Sequence, residues 1–217
     1  WTKELDQWLH EGRIDAAVHS MKDVETIRPD WLAIAAILPR ADIRDVLFGA
    51  VSLADLPPGA RVGTSAPRRA AQMLHARPDC RIVPFRGNVA TRLRKLAEGE
   101  ADATLLAAAG LERLGAKHDG TPLPAEQWLP APAQGAIGVE CRAEDGETRA
   151  LLAAIDDGPS HDRVMVERAL LFALGGNCHS PVAVRTAIDG EEIVMHAALF
   201  SPDGAARVDG EARFPAD

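Results

Sequence analysis

Two short loops, Gly63-Thr64-Ser65-Ala66-Pro67-Arg68-Arg69 and Arg86-Gly87-Asn88-Val89-Ala90-Thr91-Arg92, each follow an apolar run and each set arginines at the start of a predicted helix. A helix N-terminus leaves N–H groups unpaired and carries the positive end of the dipole. Guanidinium adds a planar fork that binds carboxylate or phosphate through two bonds at once. The chemistry on offer is a pocket for acid groups. Arg61, Arg68, Arg69, Arg77, Arg81, Arg86, Arg92, Arg94 and Lys95 fall in one stretch whose only acid is Asp79, in a chain of net charge −8. Within it Arg68, Arg69, Arg86 and Arg92 are the ligand candidates, while Arg77, Arg81, Arg94 and Lys95 read as solvated helix-face residues.

Three further positions carry reactive groups. Cys178 follows a helix end and two glycines, a setting in which a thiol is reachable. Free cysteines are usually inert hydrophobes, however, and a helix C-terminus does not activate a thiol, so the residues alone leave its role open. Asp23, beside Lys22 at a strand end, could act as a general acid or base, as a carboxylate that stabilises a cation, or simply as an exposed turn residue. His19 and His179 have no metal-ligand spacing and are assigned no role, and no metal site is predicted.

These residues need elements to hold them. At 217 residues the chain is long enough for two or three compact units. Net negative charge, the absence of tyrosine and an aromatic content of 4% argue against a nucleic-acid surface. Three cysteines without a CxxC pair predict neither zinc nor a disulfide framework. No apolar run approaches the ~20 residues of a membrane span and no signal peptide is evident. A cytoplasmic, monomeric protein without membrane or nucleic-acid partners is therefore expected.

The chain opens on a helix whose apolar face is Leu5, Trp8 and Leu9, with Gly12 as its stop; its entry partway implies that residues before Trp1 are missing, and Arg213–Asp217 also ends abruptly. Residues 14–18 read as a buried strand that ends in the polar loop His19–Asp23, and residues 32–38 read as a second strand. The charged segment 39–45 reads as a boundary before Val46–Phe48. Strand and helix then alternate: a strand at 61–62, a helix from Pro67 to about Arg77 capped by Thr64 or Ser65, a strand at 81–85, a helix from the Asn88 cap to Glu98, and a strand at 103–107. That order predicts a parallel α/β sheet. Prolines mark a return linker at 122–132, followed by a strand at 136–140 and a helix at 147–155. A helix at 160–174 and three strands turned at Asp189-Gly190 and Pro202–Gly204 complete a small α+β unit. The expected division is 1–40 with 131–156, then 41–130, then 157–217.

The motifs HSMKD at 19–23, GTSxxRR at 63–69, RGNxxTRLxKL at 86–96, LAxAGLxRLG at 106–115, AQGAIGVECR at 133–142 and LGGNC at 174–178 together resemble the porphobilinogen deaminase (hydroxymethylbilane synthase) family over essentially the whole chain, in the family's order. The resemblance implies two periplasmic-binding-protein-like α/β domains hinged around a cleft, with a small α+β C-terminal domain. It implies a transferase of tetrapyrrole biosynthesis that condenses four porphobilinogen molecules head to tail, releases ammonia at each step and hydrolyses off hydroxymethylbilane. By the same resemblance a dipyrromethane cofactor is held through a thioether to Cys178. Asp23 serves the cationic reacting end. Ser20, Lys22, Thr64, Ser65, Arg68, Arg69, Arg86, Asn88, Arg92 and Arg113 bind cofactor and substrate acids. Ala66-Pro67 stands where many relatives have Ser-Leu, and Asn177 stands where many have glycine. The family's N-terminal part and closing C-terminal helix have no counterpart here, so activity is expected of a longer protein. The rival reading is a non-catalytic solute-binding protein for a carboxylated small molecule; phosphate or nucleotide binding lacks its Gly-Lys-Ser/Thr loop.

Overall fold

Hydrophobic periodicity and turn residues divide the chain into short elements, and the computed structural model describes residues 2–115, 117–176 and 180–216 of it. In chain order the elements are α1 (Thr2–His10), β1 (Ala16–Ser20), a 3-10 turn (Met21–Asp23), β2 (Leu32–Ile37), β3 (Asp45–Phe48), a second 3-10 turn (Leu53–Asp55), β4 (Arg61–Gly63), α2 (Pro67–Ala76), β5 (Arg81–Val83), α3 (Val89–Ala97), β6 (Ala103–Ala107), α4 (Ala108–Arg113), β7 (Thr121–Pro122), β8 (Ile137–Arg142), α5 (Gly146–Ala153), α6 (Gly158–Ala173), β9 (Val182–Asp189), β10 (Glu192–Phe200) and β11 (Arg207–Pro215).

They assemble into three sheets. The first has the order β1-β8-β2 and is antiparallel throughout. The second has the order β5-β4-β6-β3-β7, with β4 parallel to both β5 and β6. The third is the antiparallel meander β11-β10-β9. Mixed α/β layers with a small α+β C-terminal part are thus the fold class.

Three local expectations need correcting. The second sheet is mixed, not wholly parallel: β3 pairs antiparallel with β6 and with β7. Strand β3 enters this sheet from the first one and is joined to β4 by residues 49–60, which hold no crossover α-helix to impose a parallel direction. The first strand runs from 16 to 20, two residues beyond expectation, and is only half buried. Ala17 and His19 face inward while Val18 is 63% exposed, because successive side chains alternate between the two faces of β1 and one of those faces is open. Helix α2 is capped by Ala66 and not by Thr64 or Ser65. The Thr64 hydroxyl instead accepts a hydrogen bond from the Ala66 N–H at 3.2 Å, fixing the loop ahead of Pro67.

Helix α2 is the element that matters most to the site. Its first turn buries Arg68 and Arg69 and its far end meets the third sheet. There His75 Nδ1 lies 2.9 Å from the Gly204 carbonyl oxygen and its ring meets Phe200 edge-on. Ala71 packs with Leu129, Ala183, Ala198 and Phe200 in a small core between the layers. Gly204 has φ +72°, and a Cβ there would sit 2.6 Å from the His75 amide nitrogen and 2.7 Å from the Ala71 carbonyl oxygen. Gly204→Ala is therefore expected to destabilise the protein by roughly 2–4 kcal/mol, combining backbone strain with a backbone clash; an unchanged melting temperature would contradict this seating.

Candidate functional site

One cavity of about 300 Å³ gathers side chains from all three layers. The turn after β1 contributes Lys22 and Asp23, the loop into α2 contributes Ser65, Arg68 and Arg69, and α3 contributes Arg92. The opposite rim is formed by Ala131, Pro132 and Gln134 of the return segment with Leu171, Ser180 and Val182.

Lys22 and Asp23 reach this place because Met21 is seated beneath them. Met21 is buried, its amide donates to the Ala136 carbonyl at 3.0 Å, and its side chain occupies the space a Cβ on Gly138 would need. Among the described residues neither the Lys22 ammonium nor the Asp23 carboxylate has a hydrogen-bond or ion-pair partner. Burial pushes the Lys22 ammonium below the usual lysine range; Arg69 adds to that, Asp23 and Asp45 pull it back, and Arg68 lowers it further. Burial also lowers the Arg92 guanidinium, with Arg69 adding to it. Burial is the larger cause of both shifts, and the Arg69 charge comes second in each.

The arginines at the base of the cavity are already engaged. Arg68 donates from Nη2 to Asp45 Oδ2 at 2.8 Å and from Nη1 to the Leu129 carbonyl at 3.0 Å. Arg69 donates to Asp45 through Nη2 at 2.7 Å and Nε at 3.2 Å, and through Nη1 to the Leu105 carbonyl at 3.0 Å. Asp45 also accepts from Trp128 Nε1 at 2.9 Å and Gln134 Nε2 at 3.0 Å. It is fully buried. Burial alone would raise its carboxyl, but Arg68 and Arg69 outweigh that and hold it far below the ordinary carboxylate range. Asp45, Trp128 and Gln134 escaped the sequence reading as site residues. The available signal was an acid opening the apolar run Val46-Leu47-Phe48, since a charge on a buried strand calls for a partner.

The remaining sequence candidates lie elsewhere. Asn88 caps α3 by accepting from the Thr91 N–H at 2.9 Å, and Arg92 Nε donates to the Gly87 carbonyl at 2.9 Å, so the second loop is built as expected. Arg86 is exposed, has no side-chain partner among the described residues, and does not line the cavity. Arg113 reaches back to the Gly135 carbonyl at 2.9 Å, beside Gln134 but outside the lining. Ser20 ends β1 and Thr64 is buried under its loop, and neither lines the cavity. Arg77, Arg94 and Lys95 are tied to Asp79, Glu98 and Glu100. Cys80 and Cys141 are buried free thiols that burial pushes up. Cys178 and His179 lie outside the described residues.

A family model described as porphobilinogen deaminase, dipyromethane cofactor binding domain, matches residues 1–150, and one described as porphobilinogen deaminase, C-terminal domain, matches residues 162–216. The porphobilinogen deaminase of Sphingopyxis alaskensis is 56% identical over 97% of this chain and 69% of its own length. The chain belongs to the porphobilinogen deaminase family. A second porphobilinogen deaminase, from Paracoccus denitrificans, is 47% identical over 100% of this chain and 70% of its own length. Among solved structures, the periplasmic VFT2 domain of BvgS from Bordetella pertussis is similar at TM-score 0.42 and 20% identity, over 78% of this chain and 72% of that one. In this porphobilinogen deaminase family member, the first match contains Lys22, Asp23 and the whole arginine wall, and the second contains Cys178 and Ser180. Among the described residues no helix is long and apolar enough to cross a membrane.

Proposed function

We propose that this chain carries the hydroxymethylbilane synthase site: four porphobilinogen molecules are joined head to tail on a covalent primer with loss of ammonia, and the linear product is then released by water. The observation that carries this reading is one cavity lined by Lys22 and Asp23, which have no side-chain partner among the described residues, together with Arg68, Arg69 and Arg92.

The dipyrromethane cofactor fits that cavity. Four cationic side chains, Lys22, Arg68, Arg69 and Arg92, stand against the two acids Asp23 and Asp45, so the lining has positive charge in excess and suits a ligand carrying several carboxylates. Its volume of about 300 Å³ is within the usual range for small-molecule sites. Cys178 is the proposed attachment point, supported by the nearness in sequence of Ser180, which lines the cavity. When bound, the group supplies an electron-rich pyrrole carbon as the priming nucleophile.

This chain's residues do the rest. Lys22, Arg92 and the outward N–H groups of Arg68 and Arg69 hold acetate and propionate groups, with Ser65 adding a hydroxyl. Arg86, Asn88 and Arg113 serve the same ligand acids from beyond the lining, and Ser20 and Thr64 shape the loops beneath. The Asp23 carboxylate accepts pyrrole N–H bonds and stabilises the positive charge that develops as ammonia leaves. It also takes the proton lost when the ring regains aromaticity. The three sheets support the division into 1–40 with 131–156, 41–130, and 157–217.

Intact-protein mass tests the reading directly. The parent chain should carry a covalent dipyrrole that gives a positive pyrrole colour reaction, and Cys178→Ser should lose both; an adduct that survives the substitution refutes the attachment. Absence of an adduct from the parent, together with reversible binding of a carboxylated ligand, would favour the solute-binding alternative.

A further inference from the structure

Asp45 occupies an unusual place for an acid in a site that binds acids. It is buried under the cavity wall, and it accepts from both guanidinia that face the ligand. Each arginine also has a second anchor. Arg68 keeps its bond to the Leu129 carbonyl and Arg69 its bond to the Leu105 carbonyl, each through Nη1, and both backbones are fixed in the first turn of α2. What Asp45 adds to these anchors is a negative charge, one for two cations.

We propose that Asp45 is a positioning residue that acts as a built-in competitor for ligand carboxylates, tempering the grip of Arg68 and Arg69 so that the acids of a growing oligopyrrole can be exchanged between turnovers. The inference rests on the functional reading above. Its physical basis is the low dielectric of the buried pair: a counter-charge in contact with both forks weakens their attraction for a second anion arriving from the cavity. A protein that adds the same unit repeatedly needs acid-binding groups that hold and then let go. Trp128 and Gln134 regulate the competitor in turn, because their N–H donors draw on the same carboxylate oxygens.

The sign of the effect separates this role from a structural one. In the holoenzyme, Asp45→Asn should lower KM for porphobilinogen by about tenfold and lower kcat as well, since release becomes slow. Intact-mass spectra should show species bearing one to three added pyrrole units accumulating. Trp128→Phe, which frees an oxygen of Asp45 for the arginines, should move KM in the opposite direction. Lys22 supplies a readout that does not depend on turnover. It is faced by Asp23 on its own turn, by Arg68 and Arg69 from α2, by Asp45 from β3, and by Arg92 across the cavity. Removing the Asp45 charge should lower its titration midpoint, followed by carbon-13 NMR of the lysines, and move the alkaline limb of the activity profile to lower pH. A raised KM for folded Asp45→Asn, with no accumulated intermediates, overturns the proposal. If that variant does not fold, an unchanged or lowered KM in Trp128→Phe overturns it. A parent holoenzyme without turnover would sink the functional reading instead, while the Lys22 titration would still decide whether Asp45 sets the charge of the wall.

Discussion

Asp23→Asn is expected to reduce porphobilinogen turnover by roughly 10²–10⁴-fold, the range for losing a positioned proton acceptor together with its charge. The variant keeps the shape of the side chain and loses the ability to stabilise a cation or accept a proton. Asp23→Glu should retain measurable activity, because its carboxylate remains within one methylene of the same place. Folding should be untouched in both, since the parent side chain is exposed and bonds to no described residue. Steady-state formation of hydroxymethylbilane, with melting curves for each variant, checks this. Equal rates for Asn and parent would remove Asp23 from the chemistry. The effect depends on the seat below: Met21 is buried against Gly138, which leaves the 3-10 turn little freedom.

The second large effect is on stability. Arg40 donates to both oxygens of Glu167, at 2.8 and 2.9 Å, and from Nε to the Gln134 carbonyl at 2.9 Å. Glu167 also accepts from the Ala133 amide at 2.6 Å and from the Thr186 hydroxyl. Both side chains of the pair are almost fully buried, at 2% and 0% exposure. Arg40→Ala strands a buried carboxylate and should cost about 3–5 kcal/mol, a fall in melting temperature of roughly 6–20 °C for a chain of this size. Arg40→Lys should recover only part of that, because an ammonium cannot reproduce the two-pronged geometry. A melting temperature within about 2 °C of the parent in Arg40→Ala would show that the pair contributes little. The pair joins the 39–44 crossing, the return segment and α6, so its loss should also broaden the unfolding transition.

Local chemistry was legible in the sequence wherever a signal is local. Pro67 at the first position of α2, Asn88 as the cap of α3, and the Asp189-Gly190 turn into β10 all follow from backbone preferences within a few residues. The motif loops likewise led to Lys22, Asp23, Ser65, Arg68, Arg69 and Arg92, which the fold brings to one cavity. Partnerships across the chain were not legible. The pairing of Arg68 and Arg69 with Asp45 spans 23 and 24 residues, and that of Arg113 with Gly135 spans 22, distances at which residue type alone names no partner. The direction of β3 was missed because alternation of strand and helix predicts parallel neighbours, whereas residues 49–60 join β3 to β4 without an α-helix. Val18 shows the limit of apolar runs as evidence, since a strand covered on one face only exposes every second side chain.

The seating of α2 against the third sheet has a mechanical corollary. A helix of ten residues is a rod about 15 Å long, pinned at one end by the His75 and Gly204 contact and bearing Arg68 and Arg69 at the other. The C-terminal meander and the two guanidinium forks are thus joined through one short rigid element, so a change in the seat of His75 is felt at the wall of the cavity. The turn bearing Asp23, by contrast, follows a strand of a different sheet.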